Sequence, residues 1–432
     1  MSTQIQSVTG RRVWDSRGRP TVETEITLVG GAVGRAIAPA GASTGSGEAL
    51  DRRDGGAPFG GHDVQGALAA VNGEIADLLT GRDATDQAAL DTALIALDGT
   101  PNKHRLGGNA LVATSMAIAH AAAAGLRMPL WRYLAGDRQD RILPLPEIQI
   151  FGGGAHAGRR VDVQDFMVIA VGATDYAHSL EMVAEVYRAA GALMGEAKLL
   201  QGVADEGGYW PAFDTNDRAL EFLVRAIERA GYTPGQDVAI SLDIAASDFG
   251  KNGRYTLARD SREIDSDGLS EMLLGWLARY PIVSIEDPLG EDDPEGMRKF
   301  TLAAGPGVEV VADDFICTTA ARIDRAAELG ACNTALIKPN QAGTLTETRA
   351  ALDAARAAGW ESIVSARSGE TEDTTIVHLA VGWGAKQLKV GSFSRSERMA
   401  KWNEGLRIAE ALGQAGGQLA PRSAFPWGRT TR

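Results

Sequence analysis

Cysteine is nearly absent from this chain. Cys317 and Cys332 are the only two, which excludes a disulfide framework and a cysteine zinc site and fits a reducing, cytoplasmic setting. Basic charge is not in excess either. The formal net charge is -13, so neither nucleic acid nor an anionic membrane would meet an extended basic face. Long apolar runs are missing as well. The most apolar helix-like stretch, Ala110 to Leu126, is rich in alanine and carries Thr114, Ser115 and His120, the pattern of a helix packed inside a globule rather than one crossing a bilayer. The opening residues contain no apolar core of signal-peptide length and read as the start of a strand. No Gly-x-Gly-x-x-Gly follows an early strand and no Walker lysine occurs, which weakens the doubly wound dinucleotide-binding alternative.

What the chain does have is a change of rhythm. Thr21-Val-Glu-Thr-Glu-Ile-Thr-Leu alternates with period two and Gly34-Arg-Ala-Ile-Ala suits a second strand, after which helices are expected over 64–79, 85–97 and 109–125. Strands followed by helices indicate a small α+β domain, taken as residues 1–138. Between them lies Pro39-Ala-Gly-Ala-Ser-Thr-Gly-Ser-Gly, with the composition of a lid loop. From 139 to 432 the order becomes strand, loop, helix, repeated, which closes most naturally into a (β/α) barrel. The fold class expected is therefore α/β, a barrel of eight units with an N-terminal α+β capping domain.

Four ionisable residues stand where apolar runs stop. Asp243 follows Val238-Ala-Ile-Ser-Leu, Glu286 follows Ile282-Val-Ser-Ile, Asp313 follows Val308-Glu-Val-Val-Ala, and Lys338 follows Ala335-Leu-Ile. A charge at the end of a buried strand costs desolvation unless a metal, partner or substrate offsets it. Barrel active sites lie at the carboxyl ends of the strands. Three acids and a lysine there point to metal-assisted carbon-acid chemistry.

Several longer blocks resemble the enolase family: Asp15-Ser-Arg-Gly-Arg-Pro-Thr-Val-Glu, Gly41-Ala-Ser-Thr-Gly, Asp205-Glu-Gly-Gly, Ser284-Ile-Glu-Asp-Pro, Leu336-Ile-Lys, Arg367-Ser-Gly-Glu-Thr-Glu-Asp and Arg395-Ser-Glu-Arg. The resemblance runs nearly end to end. It implies Mg²⁺, two ions in all, with Asp243, Glu286 and Asp313 as ligands of one and Ser43 as a ligand of the second. Oxygen donors suit such a hard cation. It implies Lys338 as general base, Glu206 as the group that assists the leaving group, and Lys389 as a second active-site lysine that keeps Lys338 unprotonated. Arg367 and Ser368 match the grip on a substrate phosphate, His156 a lid histidine that reaches it, Gln164 a residue of the same pocket, and Asp165 an acidic pocket residue. A homodimer formed through the N-terminal domain is the family default.

The departures from the family pattern cluster at the pocket. Ala366 stands where a histidine is usual before Arg367, Asp165 replaces glutamate, Gly152 replaces asparagine, and Ala204 replaces a glycine. Tyr209-Trp-Pro-Ala, Pro339, Ala40 and Gly47 also differ. Loss of an imidazole at Ala366 and an amide at Gly152 is expected to open space beside the phosphate grip. That leads to a specialised paralogue acting on a small phosphate or phosphonate anion, similar to the carboxyphosphonoenolpyruvate synthases. Two alternatives stand beside it, an ordinary phosphopyruvate hydratase and a catalytically silent enolase fold.

Overall fold

The alternating segments at the start form an antiparallel sheet, β1 (Ile5–Trp14), β2 (Pro20–Leu28) and β3 (Val33–Ile37), in the order β1-β2-β3. The computed structural model describes residues 2–139, 142–259, 261–413 and 417–429. The helix Gly108–Gly125 covers the sheet and is buried almost all round. Alanine makes this possible, because small side chains let a helix lie close to a strand. At Gly34 of β3 even a Cβ would come within 2.0 Å of the Ala121 nitrogen. The helix expected over 64–79 is present as Gln65–Ala70 and Ala76–Leu79, joined through a single π turn at Val71–Ile75.

The second unit is a closed ring of eight strands: β4 (Leu145–Gly152), β5 (Asp165–Ile169), β6 (Ala239–Asp243), β7 (Ile282–Glu286), β8 (Glu309–Ala312), β9 (Thr334–Ile337), β10 (Glu361–Ser365) and β11 (Gln387–Ser392). They pair in sequence order, and β11 closes back on β4. From β6 onward the pairings are parallel, with helices such as Ser266–Arg279 and Ala320–Leu329 as crossovers. β5 is antiparallel to both neighbours, a departure from the uniform strand-helix repeat expected of the sequence. The connection from β4 to β5 carries no crossover helix, so the chain returns at once in the opposite direction. The outer helices follow ordinary rules. Asn216–Arg229 buries Leu220, Leu223, Ala226 and Ile227 on one face, and its cap Thr215 accepts from the Arg218 amide, worth about 1 kcal/mol. Among the described residues no helix is long and apolar enough to cross a membrane.

The ring interior divides into two halves. Val311, Leu336 and Ile363 make an apolar side, while Glu147, Ser241, Ser284, Glu309 and Gln387, all fully or almost fully buried, make a polar one. Ser241 hydrogen-bonds Glu147, and Gln387 Nε2 donates to Glu309 at 3.2 Å. Leu145, Ile169, Phe425 and Trp427 close the lower end. Burial, with the Glu147 carboxyl as a second cause, lifts Glu309 from the ordinary 4.5 to about 8. A carboxyl with a raised folded-state pKa keeps a proton that the unfolded chain releases. Its contribution is therefore complete below about pH 4.5 and is lost as the pH rises toward 8. Glu309→Gln is expected to flatten the fall in melting temperature between pH 5 and pH 8; an unchanged pH profile would show that Glu309 ionises normally.

Candidate active site

The carboxyl ends of the strands bring Asp243, Glu286, Asp313, Lys338 and Lys389 to one end of the ring, all buried. Glu286 and Asp243 are register partners across β6 and β7. Lys389 Nζ lies 2.8 Å from Asp243 and 2.7 Å from Glu286, with Asp165 at 3.8 Å. Lys338 is ion-paired with Asp313, which also accepts from Gln341 Nε2 at 2.8 Å. Burial disfavours both ammonium groups, but the carboxylates outweigh it and hold both lysines protonated.

Cation binding can be judged from the donors. Glu286 Oε1 is buried with no hydrogen-bond partner, and so is Gln164 Oε1, whose amide nitrogen donates to Asp243 at 3.0 Å. Unpartnered oxygens beside three carboxylates fit a hard divalent ion. The three acids are not, however, gathered into one tight cluster. Among the described residues, the triads with ligand atoms within 4.8 Å of one another are Asp287–Asp313–Asp314 and His156–Asp165–Glu206. The first is built from the backbone, since the Asp287 carboxylate accepts from the Asp313 and Asp314 amides at 2.9 and 2.8 Å.

The second triad forms the opposite wall. His156 Nδ1 is 3.2 Å from Asp165 Oδ1 and its Nε2 is 3.9 Å from Glu206 Oε1. Burial opposes the imidazolium, yet the Asp165 and Glu206 carboxylates raise His156 to about 9. Burial raises Glu206 against the pull of His156, while Asp165 is held low by His156 and Lys389 in spite of its own burial. Two carboxyls in one wall are thereby pushed apart, Glu206 toward the protonated form and Asp165 toward the ionised one.

Arg367 begins the turn after β10. Its guanidinium donates to Glu48 at 2.9 and 3.2 Å, to Asn340 Oδ1 at 3.1 Å and to the Ser43 carbonyl at 2.8 Å. Loop 39–47 is thereby seated over the site, and Ser46 adds hydrogen bonds to Glu291. Ser368 Oγ accepts from Arg17 at 3.2 Å. Gly41, Ala42, Ser43, His156, Gln164, Asp165, Glu206, Asp243, Lys338, Ala366, Arg367, Ser368 and Lys389 all border one cavity of ≈ 20 Å³. A much wider cleft of ≈ 650 Å³ lies outside the loop, between Ser46, Glu291, Arg322 and Arg325, away from the chemistry. Around this cavity Lys389, Lys338 and Arg367 are each paired with internal carboxylates.

One expectation is corrected here. Gly152 does not leave a gap: a Cβ at that position would meet the Ala204 methyl at 2.6 Å and the Gln149 amide at 3.2 Å. The two departures from the family pattern fill one another, and Ala366 and Asp165 remain as the places where a side chain has become smaller at the cavity wall. Three contributors were not singled out in the sequence. Arg17 holds Ser368 and the Ala40 carbonyl, Arg398 donates to the Arg367, Ser368 and Val390 carbonyls, and Glu48 pairs with Arg367. Arg17 and Arg398 lie inside the blocks quoted above, so the signal was present without a role attached.

A capped barrel that gathers lysines, carboxylates and an arginine around one cavity at the carboxyl ends of its strands defines a candidate enzyme site of the barrel class. A family model described as the enolase N-terminal domain matches residues 5–134, and one described as the enolase C-terminal TIM barrel domain matches residues 140–423. The chain is 48% identical over 415 residues to Enolase 1 of Desulfitobacterium hafniense (strain Y51), covering 95% of each. The chain belongs to the enolase family, whose enzymes depend on Mg²⁺.

Proposed function

We propose that the protein is a Mg²⁺-dependent enolase that converts 2-phosphoglycerate to phosphoenolpyruvate and water. The observation that carries this reading is the pairing of Lys338 and Glu206 on opposite walls of one buried cavity, with Glu206 biased toward its protonated form. The likeness to Enolase 1 over 95% of each chain supports it. Asp243, Glu286 and Asp313 would hold one ion, and Ser43 would contribute to a second. A bound Mg²⁺ would supply fixed positive charge for the anion left when the proton departs, and by taking up these carboxylates would relieve Lys338 of the charge they favour. Lys338 takes the proton from the carbon next to the carboxylate. Lys389 disfavours a charge on Lys338 before that transfer, and Glu206 protonates the departing hydroxyl. Arg367, Ser368, His156 and Gln164 hold the phosphate, which Arg367 takes in exchange for Glu48 and the Ser43 carbonyl. Asp165 orients His156.

The test is turnover of 2-phosphoglycerate with Mg²⁺, followed by enolpyruvate absorbance together with solvent exchange of the C2 proton. Rapid conversion is expected. Exchange without conversion would favour a second reading, and absence of both would overturn the first. That second reading is a specialised paralogue of the carboxyphosphonoenolpyruvate synthase type, taking a larger phosphonate anion. Ala366 beside Arg367 favours it; the filled space at Gly152 and the 48% identity to Enolase 1 put it second. Ala366→His is expected to raise 2-phosphoglycerate turnover several-fold and to impair a larger substrate; no change in either would remove Ala366 as a determinant of specificity. A silent binding protein would fail to take up Mg²⁺ in calorimetry. The domains are assigned as 1–138 and 139–432 and the assembly as a homodimer, to be checked by light scattering.

A further inference from the structure

Gln149 lies near the end of β4, fully buried, and none of the roles above uses it. Its Oε1 accepts from the Gly208 amide at 2.8 Å, and its Nε2 donates to Asp165 Oδ1. The orientation of the carboxamide follows from chemistry. A backbone N–H can only donate, so the oxygen must face Gly208 and the NH₂ group must face the carboxylate. Gly208 ends the tight turn that presents Glu206: Ala204 N bonds the Gly208 carbonyl at 2.7 Å and Gly207 N bonds the Ala204 carbonyl at 2.9 Å. The fit is close, because a Cβ on Gly208 would stand 2.4 Å from Gln149 Oε1. On the other side, the Asp165 oxygen that receives the amide is the one facing His156 Nδ1. One side chain therefore touches both halves of the wall that faces Lys338.

We propose that Gln149 is a positioning residue, which locks the Glu206 turn to the Asp165–His156 pair so that acid and histidine keep a fixed spacing across the cavity. Its donor arm holds Asp165 in one rotamer, and through it the imidazole. Its acceptor arm holds the turn. Misplacing a catalytic group by about 1 Å is enough to cost on the order of 100-fold in rate. The inference rests on the enolase reading for its effect on turnover, but the structural link itself does not.

Two variants of nearly the same shape separate the arms. Gln149→Leu removes both hydrogen bonds, whereas Gln149→Glu keeps an acceptor for the Gly208 amide and places a second carboxylate against Asp165. Steady-state kinetics on 2-phosphoglycerate are expected to show kcat lower by about 10- to 100-fold in both, with KM changed far less, since Arg367 and Ser368 keep their grip on the phosphate and only His156 is displaced. Amide hydrogen exchange of residues 204–209, measured without metal or substrate, supplies a readout that activity does not enter. It is expected to speed up at least about tenfold at Gly208 in Gln149→Leu and to stay close to wild type in Gln149→Glu, because a buried amide is protected chiefly through its hydrogen-bond partner. Wild-type protection together with wild-type kcat in Gln149→Leu would overturn the proposal, and so would lost protection in Gln149→Glu. If the unmodified protein fails to turn over 2-phosphoglycerate, the functional reading fails, and the exchange data still decide whether Gln149 holds the turn. Should Gln149→Leu fail to fold, Gln149→Met, which is closer to glutamine in length and also lacks the amide group, takes its place in both measurements.

Discussion

Lys338→Ala is expected to lower turnover of 2-phosphoglycerate by about 10⁴-fold, at the upper end of what one positioned acid-base group supplies, and to stop solvent exchange of the C2 proton. The two readouts together matter more than either alone. Loss of turnover with exchange intact would mean that the step after proton removal had failed and that another group serves as base. Mg²⁺ uptake in calorimetry should remain near that of the wild type, since Asp243, Glu286 and Asp313 are unchanged. Asp313 does lose its ion-pair partner, but the Gln341 amide at 2.8 Å still satisfies it, and the Mg²⁺-loaded protein offers it a cation.

Arg367→Ala is expected to act on stability and on substrate binding by separate routes. Arg367 is almost fully buried against an equally buried Glu48. Burial alone would lower the guanidinium's affinity for its proton, but the Glu48 carboxylate outweighs it and raises that affinity. Removing one partner of a buried pair leaves the other uncompensated, at a cost of about 3–5 kcal/mol. The melting temperature should fall by several degrees. KM should rise about 100-fold as charge-assisted hydrogen bonds to the phosphate are lost, each worth roughly 1.5–3 kcal/mol. Adding Glu48→Gln removes the stranded charge, so the double variant should recover much of the melting temperature and none of the KM. A double variant as unstable as the single one would show that Glu48 is not what the arginine neutralises.

The strand-end residues illustrate what could be read from the chain and what could not. Asp243, Glu286 and Lys338 follow runs of apolar residues, and burial of a charge without a partner is costly wherever it happens. Their arrival at one end of a barrel was therefore legible. Their partners were not. That Lys389 bridges Asp243 and Glu286, and that Lys338 pairs with Asp313, depends on how eight strands close into a ring. Hydrophobic periodicity reports which face of a strand is inside and carries no distance to a strand across the ring. The same limit explains Gln149, which with Glu147 is one of two polar residues in β4 and whose two partners, Gly208 and Asp165, come from separate segments of the chain.

The departures from the family pattern mark the boundary most clearly. Read one by one along the chain, Gly152 and Ala204 were each a substitution, and Gly152 counted as lost volume. In three dimensions they are a pair, with the methyl of one where the side chain of the other would project. By itself the sequence determined the class of fold, the polarity of the barrel, the identity of the acids and lysines at its open end and the family, because these rest on local pattern, burial cost and long ordered motifs. Only the tertiary structure decided the direction of β5, the internal ion pairs around the cavity, the seating of loop 39–47 by Arg367, and the filling of the space at Gly152. Each of these depends on distances between residues far apart in the chain, which exist only once the ring has closed.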